Sequence, residues 1–234
     1  MFTDNAKNST IIVQIKGGKK RMKYMIASDI HGSAFYCRRM LEAYEREAAD
    51  RLLILGDLLY HGPRNDLPKE YAPKEVISML NERKEHFLCV RGNCDTEVDQ
   101  MVLEFPILAE YCLLDIGGQL IYATHGHKEN PKNPPMLKAG DILLNGHTHI
   151  PACERFTTKS GEECIYMNPG SVSIPKEGSA HGYMVIENGV FEWKDLEGEV
   201  YKIWKTGLHC CSMPIMFRRN ILSRFWMNCP NTEM

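Results

Sequence analysis

At 234 residues, 44% of them hydrophobic, the chain has the apolar content for one large domain with a real core. A formal net charge of -2 excludes the overall basic field of a dedicated nucleic-acid binder, though not a local patch. The nine cysteines are odd in number and form no CxxC pair, so reduced thiols are expected rather than a disulfide framework.

Residues 1–21 are polar, then basic (Lys16, Lys19, Lys20, Arg21), and lack the periodicity of either regular structure. They read as a disordered leader. Its apolar cluster around Ile11-Ile12-Val13 is too short for a signal-peptide core. The domain begins near Met22, and a short buried strand, Tyr24 to Ala27, opens it. Ser33 is a good N-cap for a helix running to about Ala49, and Leu52 to Leu55 follows as a second strand, which makes a βαβ unit. Two prolines and a glycine make Tyr60 to Tyr71 a loop. Pro73 then suits the first turn of a helix reaching about Arg83, and His86 to Val90 is a third strand. Ala109 to Ile116 and Gln119 to Thr124 form a hairpin turned at Gly117-Gly118. After a short strand at Asp141 to Leu144 the texture changes to short alternating strands: Cys153 to Thr158, Cys164 to Met167, Tyr183 to Glu187, Val190 to Trp193 and Val200 to Trp204. These suggest a largely antiparallel second sheet packed on the first. The fold class expected is α/β, a layered sandwich of two β-sheets flanked by helices, over residues 22–205.

Residues 206–234 are an atypical C-terminal extension. Ile215, Phe217, Leu222 and Trp226 are interleaved there with Arg218, Arg219 and Arg224. The segment reads as a basic amphipathic helix for a surface or partner, as a helix folded back on the domain, or as an aberrant extension. Its charges and Pro214 exclude a spanning helix. A cytoplasmic protein is expected, with no transmembrane segment. Nothing in the spacing sets its oligomeric state, and a homo-oligomer remains open.

Five apolar runs share one ending. Each meets a glycine beside Asp, Asn or His: Asp29-Ile30-His31-Gly32, Gly56-Asp57, Gly92-Asn93, His125-Gly126-His127 and Gly146-His147-Thr148-His149. Loops after the carboxyl ends of parallel strands share one edge of a sheet, so these polar residues should converge. Asp29, His31, Asp57, Asn93, His125, His147 and His149 supply two carboxylates, four imidazoles and one amide. That oxygen and nitrogen set suits Mn, Fe, Co, Ni or Zn. Seven donors exceed the need of one ion with an open position and suit two divalent ions sharing a carboxylate. Two such ions, less two aspartates and one hydroxide, leave roughly one positive charge, which attracts phosphate. Singly, each motif is better explained by a hydrogen-bonded loop or core histidine; the metal reading rests on their joint occurrence.

In this order the motifs D-x-H, G-D, G-N-x-D, H-G and G-H-x-H resemble the calcineurin-like metallophosphoesterase superfamily. The segments HGPRN (His61 to Asn65), GNCD and NPGSVSIPK (Asn168 to Lys176) are similar to compact bacterial phosphodiesterases within it. The resemblance implies a phosphoric diester hydrolase using two divalent ions, manganese first among them, on a small phosphodiester. Asp29, His31 and His149 would hold one ion and Asn93, His125 and His147 the other, with Asp57 bridging, and a metal-bridging hydroxide would attack phosphorus in line. A phosphomonoesterase, a nucleotide pyrophosphatase and a non-catalytic scaffold of the same fold are the alternatives. Most of the superfamily carries histidine, commonly assigned to protonating the leaving group, where this chain has Cys94. Protonation would then fall to His127 or to water, or be dispensable for a good leaving group. Arg64 and Asn65, with His61, either bind the substrate phosphate or form a loop shaped by Gly62 and Pro63. Asp95 is expected to orient a ligand from behind, and Asn168 to Ser171 to buttress the site.

Overall fold

The computed structural model describes residues 10–13, 22–116, 118–206 and 211–212. The strands are β1 (Thr10–Val13), β2 (Tyr24–Ala27), β3 (Arg51–Ile54), β4 (Phe87–Cys89), β5 (Tyr111–Ile116), β6 (Gln119–Ala123), β7 (Ile142–Leu144), β8 (Ala152–Thr157), β9 (Glu163–Asn168), β10 (Gly182–Glu187), β11 (Val190–Asp195), β12 (Val200–Lys205) and β13 (Cys211–Ser212). The helices are α1 (Ala34–Glu47), α2 (Pro73–Asn81) and the single turn α3 (Glu97–Gln100).

Two mixed sheets face each other. One has six strands in the order β1-β5-β6-β7-β9-β8, the other seven in the order β13-β12-β11-β10-β2-β3-β4. In the seven-stranded sheet β2, β3 and β4 run parallel, pairing Ile26 with Leu53 and Leu53 with Leu88. Strand β10 joins β2 antiparallel. Parallel pairing recurs in the six-stranded sheet, from β6 to β7 and from β7 to β9. The architecture is the α/β sandwich expected from sequence, but the strands are apportioned differently. The late strands β10, β11 and β12 extend the sheet that contains β2 instead of forming a separate antiparallel one. Strand β9 pairs parallel with β7.

The central strands are apolar throughout because both of their faces are covered. Met25 and Ala27 face a core built with Cys37, Met40, Leu41 and Tyr44 of α1 and Val76 and Leu80 of α2. Tyr24 and Ile26, on the opposite face, meet Leu114, Ile121 and Leu144 of the six-stranded sheet. Each fully buried Leu or Ile between the sheets contributes about 1.5–3 kcal/mol. Ser33 caps α1 as expected, its hydroxyl accepting the Tyr36 N–H at 3.2 Å.

Part of the leader is structured. Thr10–Val13, read from sequence within a disordered segment, pairs parallel with Tyr111 to Leu114. Four apolar or β-branched residues against a basic flank carry no alternation, so the sequence shows no strand pattern there. The rest of residues 1–21, and the amphipathic segment of the C-terminal extension apart from Cys211–Ser212, lie outside the described residues. Among the described residues no helix is long and apolar enough to cross a membrane.

Candidate metal centre

The five glycine-punctuated loops meet at one rim of the sandwich. Backbone bonds join the loops after β2 and β3: His31 N–H donates to Asp57 O at 2.9 Å and Gly32 N–H to Leu58 O at 2.9 Å. Asp29, His31, Asp57, His147 and His149 all have left-handed backbone, with φ between 50° and 64°. Non-glycine residues adopt this conformation at a cost, and its recurrence at five residues of one cluster marks a functional constraint.

The first cluster is Asp29, His31 and His149, all buried. Oδ2 of Asp29 accepts the His147 N–H at 3.0 Å. Its Oδ1 has no hydrogen-bond partner and lies 3.5 Å from His31 Nε2 and 3.3 Å from His149 Nε2. The far nitrogen of each ring is committed: His31 Nδ1 donates to Tyr60 O at 2.7 Å and His149 Nδ1 to Ile174 O at 2.9 Å. In the neutral rings the Nε2 atoms therefore carry lone pairs, yet they lie 3.3 Å apart. Two lone pairs and a bare carboxylate oxygen at this spacing repel unless something positive stands among them.

The second cluster repeats the device. His125 Nδ1 donates to Leu55 O at 2.6 Å, which leaves Nε2 3.0 Å from Asn93 Oδ1 and 3.4 Å from Asp57 Oδ2. His147 lies alongside, its ring centroid 5.0 Å from that of His125. Asp57 stands between the clusters, because the same Oδ2 is 3.7 Å from His31 Nε2. Its Oδ1 is occupied by the Cys94 N–H at 2.8 Å, which orients the carboxylate.

Electrostatics give the same answer. Burial opposes charge on Asp29, but the close imidazoles of His149, His31 and His125 hold its carboxyl well below the usual range. Burial likewise works against a charged His125, yet Asp57 and Asp29 push it up to about 9. Anions and imidazoles thus both favour added positive charge. Ligand atoms of Asp29, His31 and His149 lie within 4.8 Å of one another, as do those of Asp57, His125 and His147, and those of His31, Asp57 and Cys94. Orphaned buried oxygen, aligned nitrogen lone pairs and donor chemistry fit divalent cations.

Residues 22–189 match the family model of the calcineurin-like phosphoesterase superfamily domain. The chain belongs to this superfamily. Among curated relatives, the phosphodiesterase YfcE of Escherichia coli K12 is 48% identical over 169 residues, which cover 72% of this chain and 89% of that protein. A solved structure described as YfcE, a phosphoesterase from E. coli, superposes with a TM-score of 0.73 at 45% identity, covering 79% of this chain and 99% of the other. The likeness thus spans nearly the whole of that phosphoesterase.

Around the clusters the loops are braced. Asp95 is buried and accepts three backbone N–H groups, from Asp57 and Leu58 at 2.8 Å and from Gly92 at 2.7 Å. Burial and the neighbouring Asp57 push its carboxyl up to about 6. Ser171 and Ser173 hydroxyls both donate to Asp29 O at 2.9 Å, so the NPGS segment buttresses the first loop as expected. Two glycines are steric necessities. A Cβ on Gly92 would collide with Asp57, and one on Gly146 with Ser28.

Over the clusters lies a polar cavity of about 350 Å³, whose wall includes His31, Asp57, Asn93, Cys94, His147 and His149. Arg64 and Asn65 line this wall. His61 does not. Its ring packs edge-on between Tyr60 and Tyr71, with centroids 4.8 and 5.3 Å away, and its carbonyl accepts the Asn65 side-chain N–H at 2.8 Å. His127 sits 5.5 Å from the His125 ring, outside the wall, with a buried Nδ1 that lacks a partner. Burial and His125 bring His127 down to about 4. Cys94 is on the wall, and burial together with Asp57 pushes its thiol up to about 12. Lys176 completes the cavity. In the sequence it ends the segment NPGSVSIPK, where one exposed lysine carries no pattern.

Proposed function

We propose that this chain is a metal-dependent phosphodiesterase. The observation that carries the reading is the approach of the His31 and His149 Nε2 atoms to 3.3 Å beside the bare Oδ1 of Asp29, with the Nδ1 of each ring tied to a backbone carbonyl. Membership of the phosphoesterase superfamily and the likeness to YfcE support it.

In this reading Asp29, His31 and His149 hold one divalent ion, Asn93, His125 and His147 a second, and Asp57 belongs to both. When bound, the pair supplies a nucleophile from water at neutral pH and neutralises charge on the phosphoryl oxygens; manganese is the ion proposed. The protein does the rest. Cys94 N–H fixes the rotation of Asp57, and Asp95 fixes its backbone. Arg64 and Asn65, on the cavity wall, contact substrate at the cavity mouth. Neither Cys94, pushed up to about 12, nor His127, neutral at pH 7, offers an imidazolium-like acid to the leaving group. Diesters with leaving groups that depart unaided are therefore the better substrates.

The test is hydrolysis of bis(p-nitrophenyl) phosphate by metal-stripped protein with and without Mn²⁺, with Asp57→Asn as control. Manganese-dependent turnover lost in the variant supports the reading. Well-folded protein inert with every divalent ion overturns it.

A further inference from the structure

Two cations on the cavity wall exceed what a simple diester needs. Arg64 comes from the loop after β3 and Lys176 from the loop before β10, and both line the cavity above the clusters. Both are exposed, and among the described residues neither forms an ion pair. Arg91 and Lys128, by contrast, are engaged, with Glu97 and Glu110 respectively. Asp57 is the single carboxylate on the wall, and it faces the imidazoles. The base of Lys176 is held in place. Its N–H donates to His149 O at 3.1 Å, and its carbonyl accepts the Ser179 N–H at 3.0 Å and the Ser179 hydroxyl at 2.6 Å.

A phosphodiester brings one negative charge, which the clusters themselves answer. Arg64 and Lys176 leave two positive charges beyond it, in a polar space of about 350 Å³ open to solvent. No Phe, Tyr or Trp lines that space, so it lacks the stacking surface that recognition of a nucleobase uses. We infer that Arg64 and Lys176 form a subsite for a second anionic group, and that the preferred substrates are phosphodiesters whose retained limb is aliphatic and ends in a phosphate or carboxylate. The inference rests on the phosphodiesterase reading above and adds the substrate class.

The test uses p-nitrophenyl phosphodiesters with one leaving group and four second limbs: 2-carboxyethyl, 2-phosphoethyl, n-propyl and choline. With Mn²⁺, the wild-type protein favours the two anionic limbs over n-propyl by about tenfold or more in kcat/KM, chiefly through KM, and disfavours choline. The carboxylate and phosphate arms show which anion the subsite prefers. Lys176→Met brings the anionic-to-propyl ratio close to one. Calorimetric titration with the product-like probes 2-carboxyethyl phosphate and propyl phosphate gives a second readout. The first binds wild type more tightly than the second, and the variant loses that difference. Equal rates on anionic and neutral limbs, or an equal loss on all four diesters in Lys176→Met, overturn the subsite while leaving the phosphodiesterase intact. No turnover of any diester overturns both.

Discussion

The carboxylate of Asp95 accepts the backbone N–H of Asp57 at 2.8 Å, and through Leu58 and Gly92 it ties the loop after β3 to the loop after β4. All three partners are donors. Asparagine would turn one acceptor into an NH₂ group facing an N–H. Asp95→Asn should lower stability by about 1–3 kcal/mol in urea denaturation. It should also reduce manganese-dependent kcat/KM about 10–100-fold, as loss of a group that orients a ligand does.

Cation binding should be visible without turnover. Adding Mn²⁺ to chelator-stripped protein should raise Tm, since a ligand at a hundred times its Kd stabilises by about 2.7 kcal/mol. His149→Ala removes one of the crowded lone pairs. Its Tm should respond to Mn²⁺ much less than that of the wild type, measured by differential scanning fluorimetry.

Cys94 holds its proton at neutral pH because burial and Asp57 push its thiol up to about 12. Replacing it by His puts a better proton donor at the same place. The ratio of kcat/KM on diethyl phosphate to that on bis(p-nitrophenyl) phosphate should rise by at least about tenfold in Cys94→His, within the range general acids supply. An unchanged ratio would remove position 94 from the departure of the leaving group.

Far from the site, Glu47 ends α1 against the seven-stranded sheet. Its carboxylate accepts Lys23 Nζ and Lys194 Nζ at 2.9 Å and the Tyr183 hydroxyl at 2.8 Å. Burial alone would raise it, but these bonds hold it below the ordinary range. A depressed folded value means stabilisation present above the unfolded value, about 4.3, and lost as pH falls through the folded one. Glu47→Gln should cost about 1–3 kcal/mol at pH 7, and the difference from wild type should shrink steadily below about pH 4. Urea denaturation at both pH values measures it.

The donors were legible because their signal is local: Asp29 with His31, and His147 with His149, each sit two apart on a glycine turn, and a strand-end aspartate follows Gly56. The pairing of sheets was not. The runs at Tyr24–Ala27 and Ile142–Leu144 are equally apolar, yet they lie in different sheets, and only long-range register decides which. Thr10–Val13 and α3 were too short to show a period. The Thr96 and Asp99 capping box of α3 is visible only once the turn is known. His61 lies off the cavity wall for a different reason. Chain proximity to Arg64 is a poor guide in a loop that turns at Gly62, where Tyr60 and Tyr71 claim its ring.

The left-handed backbone at His147 and His149 bears on how such a chain can change over generations. Each histidine there strains a position that glycine occupies freely, at about 1–2 kcal/mol per residue. His147→Gly should therefore leave the metal-free fold more stable in urea while abolishing turnover. A lineage released from selection for catalysis would drift toward glycine or asparagine at these positions and gain thermal stability as it lost its chemistry. A binding-only descendant of this architecture would be recognised by sturdier loops at the same rim.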